Sequence, residues 1–178
     1  MRINVAKVRK TFGASETFEF KEAAQVLDSD DAAVKFIQPL DVTVKAANVG
    51  HGILLQGKVH TEVELDCSRC LGNFSLTVDT GFEEEVCHSS DVAAYLADHP
   101  EAVEEENYTV FSSDVLDITP LVVEHVLLAL PMKPLCREEC KGLCSRCGRN
   151  LNVAACSCEQ EAVDPRLAGL ASFFNKEK

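Results

Sequence analysis

Six of the chain's nine cysteines fall between Cys136 and Cys158. Their spacing is Cys136-x3-Cys140-x3-Cys144-x2-Cys147-x8-Cys156-x-Cys158, and Cys67 and Cys70 form a separate C-x-x-C upstream. Cys144-Ser-Arg-Cys147-Gly148 has the form of a zinc knuckle. Two thiolates three residues apart reach one ion from a tight turn, and glycine relieves the backbone after the second ligand. A tetrahedral site then takes two more ligands from outside the knuckle.

Setting Cys87 aside leaves eight cysteines, enough for two such sites. The most economical partition places Cys144, Cys147, Cys156 and Cys158 on one ion, and Cys67, Cys70, Cys136 and Cys140 on another. The second set would join the first C-x-x-C to the chain leaving a helix. A rival partition uses a single ion held by Cys67, Cys70, Cys144 and Cys147, and a metal-free arrangement is the third alternative. Cys87 reads as a small buried thiol at a strand end. All-cysteine sites are closed and structural, whereas catalytic zinc keeps an open position and mixes in histidine or carboxylate. His51, His60, His88, His99 and His125 sit in no metal or acid/base spacing. The chain shows no phosphate-cradling glycine loop and no nucleophile elbow. Cys67-x-x-Cys70 opens no helix, which argues against a thioredoxin-like pair. The expectation is a protein that is not an enzyme.

The elements that must position these cysteines are mostly strands. Val42 and Val44 alternate with polar residues, Asn48-Val-Gly50-His-Gly52 is a turn, and Leu55, Val59, Val63 and Leu65 continue the alternation. Cys67-Ser-Arg-Cys70-Leu-Gly72 follows, and then Phe74, Leu76 and Val78 alternate again. The pattern predicts an antiparallel three-stranded meander over 40–86 with the first C-x-x-C at a hairpin tip. Earlier, residues 2–12 read as a first strand, Ser15–Phe20 as a second, and Glu22–Leu27 as a short helix. Asp91–Asp98 reads as another short helix and Tyr108–Phe111 as a returning strand. Thr119-Pro120 opens a helix capped by Thr119. Leu121–Leu130 is apolar on nearly every face, so this helix is expected to be buried against the sheet. Asp164–Phe174 reads as a C-terminal amphipathic helix.

A chain of 178 residues with 46% hydrophobic content can bury one core with a small appended module. No apolar run approaches the roughly 18 residues that span a bilayer. The N-terminus lacks the apolar region of a secretory signal, which places the cysteines in a reducing cytoplasm and favours metal over disulfides. The formal net charge is −12, against simple binding of nucleic acid by a basic surface. The charge is uneven, however. Residues 82–106 hold nine acidic side chains and no Lys or Arg, whereas Lys133, Arg137, Lys141, Arg146 and Arg149 make the cysteine region locally basic. The fold class expected is α+β: a mostly antiparallel sheet or open barrel, one buried helix and a C-terminal cysteine-rich zinc module. The division expected is a β-rich body at 1–135 with an acidic insertion at 82–106, and the module with its helix at 136–178.

Five segments occur in order: Cys67-Ser-Arg-Cys70-Leu, Leu128-Ala-Leu-Pro131, Cys140-Lys-Gly-Leu-Cys144-Ser-Arg-Cys147-Gly148-Arg-Asn-Leu-Asn152, Cys156-Ser-Cys158 and Asp164-Pro-Arg-Leu-Ala168. Together they resemble the YceD family, the large ribosomal RNA subunit accumulation proteins. The resemblance covers about residues 40–174. It implies a bacterial cytosolic protein, chloroplast-located in plants, needed for normal accumulation of 23S ribosomal RNA. Two partners follow from this reading: ribosomal RNA, touched by Arg69, Arg137, Lys141, Arg146 and Arg149, or a basic ribosomal protein or assembly factor docked on the acidic body. No membrane and no small-molecule substrate is expected. A zinc- or redox-responsive thiol sensor is the third reading.

Overall fold

The structure, a computed structural model, describes residues 1–23, 34–98 and 109–158. Its strands are β1 (Arg2–Asn4), β2 (Ser15–Glu22), β3 (Lys35–Phe36), β4 (Leu40–Asn48), β5 (Gly52–Asp66), β6 (Asn73–His88), β7 (Thr109–Phe111) and β8 (Val115–Asp117). Its helices are α1 (Ala6–Arg9), α2 (Val92–Asp98) and α3 (Thr119–Leu128). The main sheet runs β2-β4-β5-β6-β7, with β3 also on β5, while β1 and β8 form a separate antiparallel pair. Among the described residues the sheet does not close into a barrel.

Period-2 patterning builds the sheet. Leu40, Val42, Val44 and Ala46 of β4 are buried and lie beside Ile53, Leu55, Val59 and Val63 of β5 in one core. The intervening Asp41, Thr43 and Lys45 face water. Ile3, Val5 and Val8 from the N-terminus join the same core, as do Ile118, Val122 and Val126 around α3. The expected meander is present: β4, β5 and β6 are antiparallel neighbours. The β5–β6 hairpin is its longest part, pairing Gly52 with Cys87 at one end and Asp66 with Asn73 at the other. The acidic stretch from residue 82 is sheet as far as His88, with Glu83, Glu84 and Glu85 opposite Gln56, Leu55 and Leu54.

Three local readings change. Residues 2–12 are not one strand: β1 ends at Asn4, whose Oδ1 accepts the Ala6 N–H at 3.0 Å and turns the chain into α1. Val5 and Val8, three apart, then face the core from a helical turn. Thr119 lies inside α3 instead of capping it; Asp117 Oδ1 accepts the Thr119 N–H at 2.9 Å. Helix α3 buries one face only, because Val122 and Val126 are enclosed while Leu128 is 72% exposed. The returning strand β7 pairs parallel to β6. Helix α2 matches the expected Asp91–Asp98 helix, and β2 the expected second strand. Most of the Glu22–Leu27 segment and all of Asp164–Phe174 lie outside the described residues.

Two contacts fix the frame around the hairpin. Asn48, buried at the β4–β5 turn, donates to the carbonyls of Val8 and Arg9 at 3.0 and 2.9 Å, tying α1 to the sheet. On β6 the Phe82 ring fills the space that a side chain at Gly57 would occupy, and His125 of α3 stacks on that ring at 5.0 Å. Cys87 is the buried thiol expected, packed with Tyr95, and burial pushes its pKa up.

Candidate metal centres

The turn joining β5 to β6 is Cys67–Gly72. Cys67 N–H donates to the Gly72 carbonyl at 3.0 Å, and Leu71 N–H returns to the Cys67 carbonyl at 2.9 Å. Leu71 adopts φ +55°, and in the second knuckle Gly148 adopts φ +70° at the same place, one residue past the second cysteine. Both C-x-x-C pairs therefore wrap alike, one with glycine in the left-handed turn and one with leucine forced into it.

The chain after α3 runs beneath this tip. Ser68 N–H donates to the Pro134 carbonyl, and Leu143 N–H to the Arg69 carbonyl at 3.1 Å. Arg69 Nη1 reaches the carbonyls of Glu138 and Cys140 at 3.0 and 2.9 Å. At Gly142, φ is +74° and a Cβ would stand 3.0 Å from the Arg69 carbonyl oxygen, so this approach suits glycine alone.

These contacts bring Cys67, Cys70, Cys136 and Cys140 together as one set, and Cys144, Cys147, Cys156 and Cys158 as a second. Within each set the sulfurs lie within 4.8 Å of one another, and each could hold a metal ion. The one-ion grouping of Cys67 and Cys70 with Cys144 and Cys147 does not form among the described residues. In the first set the Cys67–Cys140 and Cys70–Cys136 sulfurs are 3.8 Å apart. Disulfide sulfurs would be about 2.05 Å apart, whereas a tetrahedron with metal–sulfur bonds near 2.3 Å has edges of about 3.8 Å. The donor chemistry and the spacing both fit a tetrahedral thiolate-bound cation.

The electrostatics of each set call for such a charge. Cys67 is held down at about 6 by the backbone N–H of Cys136 and further N–H groups of its own turn. Cys136 is pushed up to about 12 by burial and by the neighbouring thiols. The second set repeats the split: backbone N–H groups of Cys147 and Arg146 hold Cys144 at about 6, and Cys147 and burial push Cys158 to about 12. Thiols packed this closely cannot all ionise unless a cation offsets the charge.

The sign of the linkage follows. At pH 7.5 Cys136 and Cys158 hold their protons, so metal uptake must release at least one proton per set, and affinity must rise with pH. Below about pH 6, Cys67 and Cys144 also become protonated and the sets lose metal. Calorimetric zinc titrations in two buffers of different ionisation enthalpy should give different heats; identical heats would refute the proton release.

The two sets differ in setting. Cys67, Cys70 and Cys140 are buried against Phe74, Leu135 and Leu143 with Cys136 exposed, whereas in the second set Cys147 is exposed and Cys144, Cys156 and Cys158 are half-buried. The five cations expected at a nucleic-acid surface also divide. Arg69 is turned onto the carbonyls described above, and Arg149 Nη1 donates to the Ala155 carbonyl at 3.2 Å. Arg137, Lys141 and Arg146 are exposed on the loops that the cysteines hold. One participant went unnoticed in the cysteine pattern. Asn152 donates from Nδ2 to Cys140 Sγ at 3.2 Å and accepts the Lys141 N–H on Oδ1 at 2.8 Å.

The sequence pattern that defines the family described as "Large ribosomal RNA subunit accumulation protein YceD" matches residues 55–174, which takes in the hairpin and both cysteine sets. The chain belongs to the YceD family. Among curated relatives it is 28% identical over 170 residues to YlbN of Bacillus subtilis, covering 95% of this chain and 91% of YlbN. It is also 28% identical over 150 residues to the Arabidopsis thaliana protein "Large ribosomal RNA subunit accumulation protein YCED homolog 1, chloroplastic", covering 71% of this chain and 46% of that one. A Mycobacterium tuberculosis relative, Rv2926c, is 28% identical over 138 residues; the match covers 78% of this chain and 63% of that protein. No solved structure matches the chain. Among the described residues no helix is long and apolar enough to cross a membrane.

Proposed function

We propose that this protein is a non-enzymatic cytoplasmic factor that supports synthesis, processing or stability of 23S ribosomal RNA, acting through a rigid platform built on two structural zinc ions. The family to which it belongs is named for accumulation of the large ribosomal RNA. The observation that carries a contact role is the division of the cations. Arg69 and Arg149 are spent on backbone carbonyls, while Arg137, Lys141 and Arg146 stand exposed on loops that the cysteine sets hold in place. Fixed Arg and Lys heads suit the phosphates of a looped or single-stranded RNA. Closed four-thiolate sites leave no open coordination position, which agrees with a structural role for the ions.

The acidic side favours a second partner class. Glu83 is exposed near the end of β6 on a chain of net charge −12, and such an acidic balance suits a basic ribosomal protein or assembly factor. One titration separates the two. RNA contact through three cations gives a log–log salt slope near −2, from about −0.7 per phosphate on single strands. Fluorescence anisotropy with 23S ribosomal RNA fragments should show that slope, and the R137A/K141A/R146A variant should flatten it. A variant that binds RNA as well as the parent, with the same slope, would overturn the RNA reading and leave the protein partner.

A further inference from the structure

We infer that the two cysteine sets form one coupled unit, with Asn152 as the positioning residue that lets the second set tighten the first. The inference rests on the proposal above that both sets carry a metal ion.

Residues 148–155 form an arch whose feet are two ligands of the second set, Cys147 and Cys156. Cys144 N–H donates to the Arg149 carbonyl at 2.8 Å, closing one foot, and Arg149 reaches the Ala155 carbonyl near the other. The middle of the arch lies against the first set. Leu151 N–H donates to the Gly142 carbonyl at 2.9 Å, and Leu143 bridges to Asn150. Asn150 Oδ1 accepts from both the backbone N–H and Nδ2 of Asn152 at 2.9 Å, which fixes the direction of the Asn152 amide. That amide delivers its N–H to Cys140 Sγ.

The physical consequence has two parts. An N–H donated to a metal-bound thiolate stabilises the charged sulfur and orients it, and losing such a contact typically weakens metal affinity about 10–100-fold. Asn152 holds its place because the arch is pinned at both feet, so the order of the second set is passed to Cys140. Coupling of this kind is reciprocal. Each set has one exposed cysteine, Cys136 or Cys147, but the second has its other three only half-buried and is the faster-exchanging partner, while the first, with three buried, is the slower.

The test follows release of zinc from the intact protein to a chromophoric chelator. Wild type should release two ions per chain, one in a fast and one in a slow phase; this stoichiometry tests the two-ion reading by itself. The C156S/C158S variant should carry one ion and lose it about ten-fold faster than the wild-type slow phase. N152A should still carry two ions, with the slow phase accelerated by about the same factor. Adding N152A to C156S/C158S should change nothing further, because the arch is already unpinned. A slow phase unchanged in N152A would overturn the coupling while leaving the two ions in place. So would an N152A effect that persists at full size in the C156S/C158S background, since that marks a merely local loosening. Fewer than two ions in wild type would overturn the coupling together with the reading beneath it.

Discussion

Replacing Cys140 by serine should remove one ion per chain and unfold the stretch from Pro134 to Leu143, while leaving the β4–β5–β6 meander folded. Cys140 is buried in the first set, where Arg69 reaches its carbonyl and Asn152 its sulfur. The segment contains no regular secondary structure apart from the Leu143–Asn150 bridge. Its apolar packing is confined to Phe74, Leu135 and Leu143 beside the cysteines. Such a stretch cannot repay the backbone entropy of ordering, about 1–2 kcal/mol per residue, from its own contacts. A structural zinc ion contributes on the order of 10–16 kcal/mol to small thiolate modules, comparable to the whole stability of a typical domain at about 5–15 kcal/mol. On the reading that the first set holds zinc, the ion decides whether this part folds. Elemental analysis should read one ion fewer in Cys140→Ser, and amide exchange should show protection lost from 134–143 but kept in β4 and β5. Retained protection across 134–143 in a variant that has lost that ion would show that backbone contacts alone hold the loop, and would remove the basis for a metal-built platform.

The C-x-x-C turns were legible in the sequence because the motif is local: it brings its own turn wherever it occurs. The pairing of distant knuckles was less legible. Cys67 and Cys140 are 73 residues apart, and nothing in their spacing separates the observed grouping from the single-ion one. Strand patterning from Leu40 to Val78 was readable for the same reason as the knuckles, since alternation over many residues has one structural meaning. Shorter or symmetric signals failed. Val5 and Val8 fit a strand or a helical turn equally well until Asn4 is seen to bend the chain. The apolar run in α3 announces a helix without saying which face is covered. Thr119-Pro120 reads as a helix start capped by Thr119, and in the fold the Asp117 carboxylate takes the Thr119 N–H instead. Arg69 illustrates the limit best. An arginine inside a knuckle has the same sequence whether it points at solvent or folds back onto carbonyls, and here it folds back.

Phe82→Ala should be the most damaging substitution away from the cysteines, with a loss of about 3–5 kcal/mol. The reason lies in the pairing of Phe82 with Gly57 across the β5–β6 hairpin. A Cβ at residue 57 would fall 2.1 Å from the Phe82 ring, so the ring occupies the missing side chain's volume on the core face. Above it His125 of α3 stacks nearly parallel, at an interplanar angle of 17°, and its Nε2 lies 3.4 Å from Glu84 Oε1. Phe82 is thus the piece that seats α3 on β6, and α3 leads directly into Pro134 and the first cysteine set. Removing the ring leaves a void between strand and helix that neither rigid neighbour can close. At roughly 2–4 °C per kcal/mol for a chain of this size, the melting temperature should fall by about 10 °C. Gly57→Ala should cost about 1–3 kcal/mol by overpacking. The two changes should not add: in the Phe82→Ala background the new methyl meets a void instead of a ring, and the penalty at residue 57 should vanish or reverse. Thermal unfolding of the four proteins closes this cycle. Additive losses would mean that Gly57 and Phe82 do not share one space, and the account of how α3 is seated on the hairpin would fail with them.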